Sequence, residues 1–551
     1  MPRRYPFALA IPDLVPIACV VAAAGLAGCG SGSSPERDDP LGRAAFEVSC
    51  TEAAQREFSD AVSLLHHMTY PQARQAFEHV AVTDPDCAMA HWGVAMTLFQ
   101  PLWPTRPSTE DLRLGWAEVE AAEQIGAPTP RERLYIATAQ AFFDPAHADY
   151  WARIGAWEAA ARELYEAFPE DHDAATFYAL AHLATAPATG ETVHQATAAG
   201  ILARVLEEEP THPGAIHYTI HANDAPDRER ESLDVVRRYL EIAPRNPHAL
   251  HMPTHIFVRL GEWDEVIEWN GRAAEAALEH PAGDREQWVW DEFPHAMEYL
   301  VYAHLQRGDD AAARQALDQL RGTARLQPSF KTAFHLASIP ARYALERKAW
   351  TDAAVQEARP DPSLPWDRFP WPEAIGWFAR GMGSVRSGSV EPARSAEARL
   401  NELRAAAEAS GEGLFARNIE MLRLQLSAWL AHADGRADEA VERMRAAAAL
   451  EAETPKHPVT PAPTLPAEES LGDLLLELSR AADALEAYRA SLRAAPGRFN
   501  SLAGAARAAR EAGDSAAAAS YYQALRDQSA ADSPRAAVAE AAAFLNARSR
   551  P

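Results

Sequence analysis

Cysteine is scarce in this chain: four in 551 residues, at Cys19, Cys29, Cys50 and Cys87. A cysteine-rich metal site is thereby excluded. Basic residues are also in short supply, with 52 Lys and Arg against 78 Asp and Glu, a net charge of −26. Neutralising a phosphate backbone needs the opposite balance, so nucleic acid is not a partner. An acidic surface instead suits solubility and cationic partners, metal ions among them. No useful run of alternating apolar and polar residues marks a strand. The apolar run from Val15 to Ala27 is too short to span a membrane well. There is no Gly-rich phosphate loop with Lys and Ser/Thr, no nucleophile elbow and no dinucleotide fingerprint.

What is present begins with the N-terminus. Arg3 and Arg4 precede the apolar run, which closes on Leu26-Ala27-Gly28-Cys29, followed by the polar stretch GSGSSPERDDP. This reads as a targeting segment and not as part of the fold. Leu-Ala-Gly-Cys resembles the lipobox of bacterial lipoproteins. The resemblance implies that residues 1–28 are a signal peptide, that Cys29 is acylated, and that 29–48 is a flexible tether. Gly30 after the cysteine implies an outer-membrane anchor, facing the periplasm. Cys50 and Cys87 then remain; they either form one disulfide in an oxidising compartment or leave Cys87 as a buried thiol at a helix start.

From about Ser49 the chain reads as helix, short turn, helix. In AEESLGDLLLELSRAADALEAYRASLRAAP, Leu471 and Gly472 lie on a first helix, Ala484 and Tyr488 on a second, and Pro496 ends the unit. The next unit repeats the plan with Gly513, Ala518 and Tyr522, and an earlier one has Ala73, Phe77 and Pro85. A small residue lets two helices approach closely, an aromatic four positions on fills the gap toward the next helix, and Pro stops the second helix. This pattern resembles the tetratricopeptide repeat, including poorly characterised lipoproteins that carry it. The resemblance implies an all-α superhelical α-solenoid of stacked antiparallel helix pairs with a ligand-binding concave groove. The expected divisions are a main solenoid over 49–350, less regular helical repeats over 351–454, a Pro-rich linker over 455–466 and a C-terminal repeat pair over 467–548. A second Pro-rich stretch, 361–373, contains Trp366, Phe369 and Trp371 and is either a loop over the groove or a surface connection with buried aromatics.

Histidine is unevenly spread: nine of twenty fall between His212 and His304. HYTIH starts at His217 and HMPTH at His251, so one His-x-x-x-His pair (His217, His221) recurs as another (His251, His255) after 34 residues. Counting back from each Pro puts His217 and His251 at position five of a first helix, His221 and His255 at position nine, and His248 at position two. The resemblance implies that these positions face the groove. At ~100° per residue, His248, His251 and His255 share a stripe ~60° wide. Flanking helices add Tyr178 with His182 and His295 with Tyr299, so four helices read Tyr/His, His/His, His/His, His/Tyr.

Close unpaired imidazoles oppose one another's protonation, and a metal ion removes that difficulty. The metal candidates are therefore His217, His221, His248, His251, His255 and His295, with Tyr178, His182 and Tyr299 lining the groove. An all-imidazole set suits Zn, Cu, Ni or Fe(II), and not Mg or Ca. Tyr218 and Met252 stand where a zinc protease has Glu after its first His, so that chemistry is not indicated. Asp224, Asp227, Glu262, Asp264 and Glu268 are nearby acids that read equally well as solvated helix-end charges. Three readings stay open: a protein- or peptide-binding scaffold, a metal-binding protein, and a metalloenzyme.

Overall fold

Helix follows helix from Glu52 to Arg548 in the computed structural model, which describes residues 44–548 except 103–105, 148, 190–192, 226, 280 and 283–284. Residues 1–28, the acylation candidate Cys29 and most of the tether lie outside the described residues. Short connections return each helix alongside its predecessor, so the array is the all-α solenoid of packed helix pairs that the repeats imply. Among the described residues no helix is long and apolar enough to cross a membrane. The described residues of Pro40–Pro551 form one compact unit.

The packing rule read from the sequence operates at Tyr488. A Cβ added to Gly472 would stand 2.7 Å from its ring, and one added to Gly504 of the next pair 2.2 Å. The ring is clasped between two bare helix backbones, and its hydroxyl donates to Asp473 Oδ1 at 2.6 Å. Gly504→Ala should therefore cost about 1–3 kcal/mol by overpacking. A urea-unfolding midpoint unchanged from wild type would refute that contact.

Three features depart from a plain open array. A short antiparallel hairpin, Pro281–Ala282 with Arg285–Val289, interrupts the helices. The C-terminal pairs also pack back on the middle of the chain. The Phe499 N–H donates to Gln306 Oε1 at 2.9 Å, Ser533 Oγ donates to the Gly308 carbonyl at 2.8 Å, and Arg535 pairs with Asp310 at 2.7 Å. Finally, the stretch expected as a linker, 455–466, is largely buried from His457 onward. It connects the flanking helices, but it does so through the interior, because its carbonyls and prolines find partners there. The 361–373 stretch is the surface connection of the two alternatives: Leu364 and Trp366 pack on Ala333 and Ala337, and a helix restarts at Pro370.

Cys50 and Cys87 form a disulfide, with Cα atoms 5.1 Å apart. It ties the start of the Glu52–His66 helix to the start of Ala88–Met96.

Candidate metal centre

The helices Pro213–Asn223 and Pro247–His251 start alike, each with proline at its first position. His212 caps the first through its ring nitrogen and Asn246 caps the second through its side-chain oxygen. These shared starts put the two repeats in register. They then differ. His217 and His221 lie on one continuous helix. Pro253 breaks the second, which ends at His251 and restarts as Pro253–Leu260, so His251 and His255 flank a kink.

The six candidate histidines come together as two trios, not as one stripe. His217, His221 and His248 form one, and His251, His255 and His295 the other. Within the first, His217 Nε2 is 3.2 Å from both His221 Nε2 and His248 Nε2. Within the second, His251 Nε2 and His255 Nε2 are 3.0 Å apart and the His251 and His295 ring centroids 4.2 Å. Each trio thus joins an i, i+4 pair to one histidine from the first helix of the next helix pair. All are buried except His221, which is partly exposed.

The opposite ring edges decide the tautomers. His217 Nδ1–H donates to the His66 carbonyl at 2.6 Å, and His248 Nδ1–H to Glu292 at 3.2 Å. His251 Nδ1–H donates to Asn270 Oδ1 at 2.7 Å; the Asn270 amide nitrogen is committed to the Val266 carbonyl, which fixes that orientation. His255 Nδ1–H donates to Asp224 at 3.0 Å. His295 Nδ1–H donates to His335 Nε2 at 3.0 Å, and His335 in turn donates to Glu298 at 2.5 Å. Five rings therefore carry their proton on the far edge, as metal-binding histidines do, and turn an Nε2 lone pair inward.

Electrostatics keeps His217, His251, His255 and His295 neutral. Burial first, then the neighbouring imidazoles, pushes His217, His251 and His295 well below an ordinary histidine. Burial lowers His255 too, against the pull of Asp224. Burial alone would raise the Asp224 carboxyl, but Lys456, Arg259 and the His255 bond together hold it well below the usual range. Burial likewise opposes ionisation of Glu292, and Lys331 and His248 outweigh it.

The buried stretch after Lys456 crosses over the second trio. Lys456 Nζ lies 3.1 Å from Asp224, and Tyr299 Oη donates to the Pro458 carbonyl at 3.4 Å while standing 3.4 Å from His255 Nδ1. Arg342 donates to the Pro463 and Ala462 carbonyls at 3.0 and 2.9 Å and also grips Glu298 at 3.1 Å. This strap is thus tied to the partners of His255 and His295.

Tyr178 and His182 make their close contacts away from the two trios. His182 contacts His194 at 3.1 Å and Glu158 at 3.2 Å, and Tyr178 stacks on Tyr165. Their helix, His172–Thr189, presents Asp173 and Phe177 to His66 instead, five residues earlier in each case. The Tyr299 ring lies 4.5, 5.4 and 5.4 Å from those of His251, His255 and His295. Asp224, at the end of its helix, is a partly buried partner of His255, Arg259 and Lys456.

Sequence reasoning missed His66, Asn270, Glu292, Glu298 and His335. One signal was available for His66. Position 214 is 34 residues before His248, and it is glycine; a Cβ there would stand 2.3 Å from His66 Nδ1. The missing side chain admits a ring from a distant helix. A third group, His66, Asp173 and His212, also has metal-like spacing. His212 Nδ1 accepts from the Ala215 N–H, which leaves its proton on Nε2 facing Asp173, so this group reads as a hydrogen-bonded cluster.

No protein-family model matches the sequence, and no curated protein matches it. Solved structures found by fold comparison include an APC/C hetero-tetramer, Cut9-Hcn1, with a TM-score of 0.27, 11% identity and coverage of 90% of this chain and 89% of that one. They also include Naa15/Naa10 bound to HypK-THB, with a TM-score of 0.25, 10% identity and coverage of 90% and 91%. Superpositions this loose carry no weight, and the fold rests on the helices themselves.

Proposed function

We propose that this protein is a lipid-anchored solenoid of the bacterial envelope that binds transition-metal ions through its two histidine trios. One observation carries the reading. Nε2 lone pairs face each other at 3.2 Å between His217 and His248 and at 3.0 Å between His251 and His255, on rings whose protons are committed elsewhere. Such an arrangement is repulsive unless a cation sits between the nitrogens, and burial disfavours a proton as that cation. Two nitrogens bound at ~2.05 Å to a tetrahedral ion stand about 3.3 Å apart, close to the separations found.

The test is metal analysis of untagged protein after reconstitution with Zn, Cu, Ni and Fe(II). Bound metal should survive dialysis and raise the melting temperature; at a thousandfold excess over Kd the stabilisation is about 4 kcal/mol. His217→Ala with His251→Ala, one from each trio, should lose both the metal and the thermal shift. A chain that takes up none of these ions, or a double variant that keeps its metal, would sink the proposal.

The anchor is tested separately. Cys29→Ser should release the protein from membranes or block its processing, and an unchanged membrane fraction and N-terminal mass would refute acylation. The Cys50–Cys87 disulfide suits the oxidising compartment this placement implies. Protein partners are the second reading, supported by the way the Pro-rich segment packs against Tyr299 and Arg342. A peptide bound over the second trio would have to displace the strap.

A further inference from the structure

We infer that the two trios form one dinuclear copper centre that binds dioxygen between its ions. The inference rests on the metal reading above and names the ion and the ligand.

Three observations lead there. The trios share a wall: the His221 and His255 ring centroids are 6.3 Å apart, and those of His248 and His251 6.5 Å. Ions held in the two trios are therefore neighbours.

Second, the donors bring no charge. Each trio is imidazole alone. The carboxylates behind the rings are already countered: Asp224 by Arg259 and Lys456, Glu292 and Asp291 by Lys331, and Glu298 by Arg342. Four acids against four bases leave the surroundings neutral. Two divalent ions would bring four uncompensated positive charges into a buried site, which is costly. Two Cu(I) ions bring half as many. Cu(I) is also content with three imidazoles, whereas zinc in either trio would take a water as its fourth ligand.

Third, the site is enclosed. Tyr299 and the strap stand beside the second trio, and of the six histidines only His221 is partly exposed. A ligand as small as a diatomic suits such a site.

The chemical step balances within the site. Each Cu(I) gives up one electron to become Cu(II), and dioxygen accepts the two as peroxide bridging the ions. The O–O bond order falls from two to one, and copper–oxygen bonds form. No proton or outside reductant takes part. The charge of ions plus ligand is the same before and after, so a neutral surrounding shell serves both states without rearranging.

The experiment uses the whole chain, stripped of metal and titrated with Cu(I) under anaerobic conditions. Two coppers per chain should bind. Admitting air should consume one O2 per two coppers, raise an intense near-ultraviolet band, and leave the Cu(II) nearly silent in electron paramagnetic resonance, because the bridged ions couple. His295→Ala, which removes one ligand of the second trio, should instead give a visible Cu(II) signal. One copper per chain, or a wild-type resonance accounting for all the copper, would overturn the pair. Retention of zinc with no uptake of copper would overturn it as well, leaving the metal reading intact. Failure to bind any metal would sink the metal reading itself.

Discussion

Arg498→Met should lower the stability of the fold by about 3–5 kcal/mol, the usual cost of removing one partner of a buried ion pair. Arg498 has no exposed surface, and its guanidinium donates to Glu469 at 2.9 and 3.0 Å, to Glu346 at 3.0 Å and to Tyr302 at 3.1 Å. Methionine fills much of the space but abandons two carboxylates in the interior. The loss is more than local. Arg498 opens the Phe499–Glu511 helix and clamps it to Glu292–Gln306 and Phe330–Glu346, so it holds the C-terminal pairs against the helices that carry His295 and His335. Urea unfolding followed by far-ultraviolet circular dichroism measures the effect. Replacing Glu346 and Glu469 by leucine in the same chain should recover most of the stability, because no orphan charge then remains. A midpoint unmoved by Arg498→Met would refute the buried network.

The second large effect is acid lability. His217, His251, His255 and His295 are held below the ordinary histidine value of about 6.5, and burial brings His457 on the strap down to about 3. Below pH ~6.5 the unfolded chain takes up protons at these rings while the folded chain does not, so protonation favours unfolding. Stability is therefore full above pH ~6.5 and falls as pH drops toward the folded values, at about 1.4 kcal/mol per pH unit for each such histidine. With several acting together the slope is steep. Bound metal is lost over the same window, because ligation needs the neutral ring. Urea midpoints measured from pH 7.5 to 5, with metal content at each pH, give the test. A flat profile over that range would contradict neutral buried histidines. His251→Asn should lie flatter than wild type, having one fewer ring to titrate.

How the site was read from the sequence differs residue by residue. The pair His217/His221 and its repeat His251/His255 were visible because the repeat length and the helical i, i+4 spacing are both local. The next repetition, His295 with Tyr299, was harder to align. The hairpin over 281–289 stretches that repeat to 295 − 251 = 44 residues. Tyr178 and His182 sit on a helix that turns another pair, Asp173 and Phe177, toward His66. The strap was legible as Pro-rich but not as buried, since composition gives conformation and not position.

The sequence by itself determined the helices, their pairing and the density of histidine in one region. Those follow from spacing over a few residues: glycine where a neighbouring aromatic must enter, proline where a helix must stop, imidazoles one turn apart. Only the tertiary structure decided how six histidines divide into two trios and which edge of each ring faces inward. The proton on His217 is fixed by a carbonyl 151 residues away, and the strap meets Tyr299 across 159 residues. Contacts at that range depend on how the stacked pairs curve and where the C-terminal pairs close against them, and no local periodicity records either.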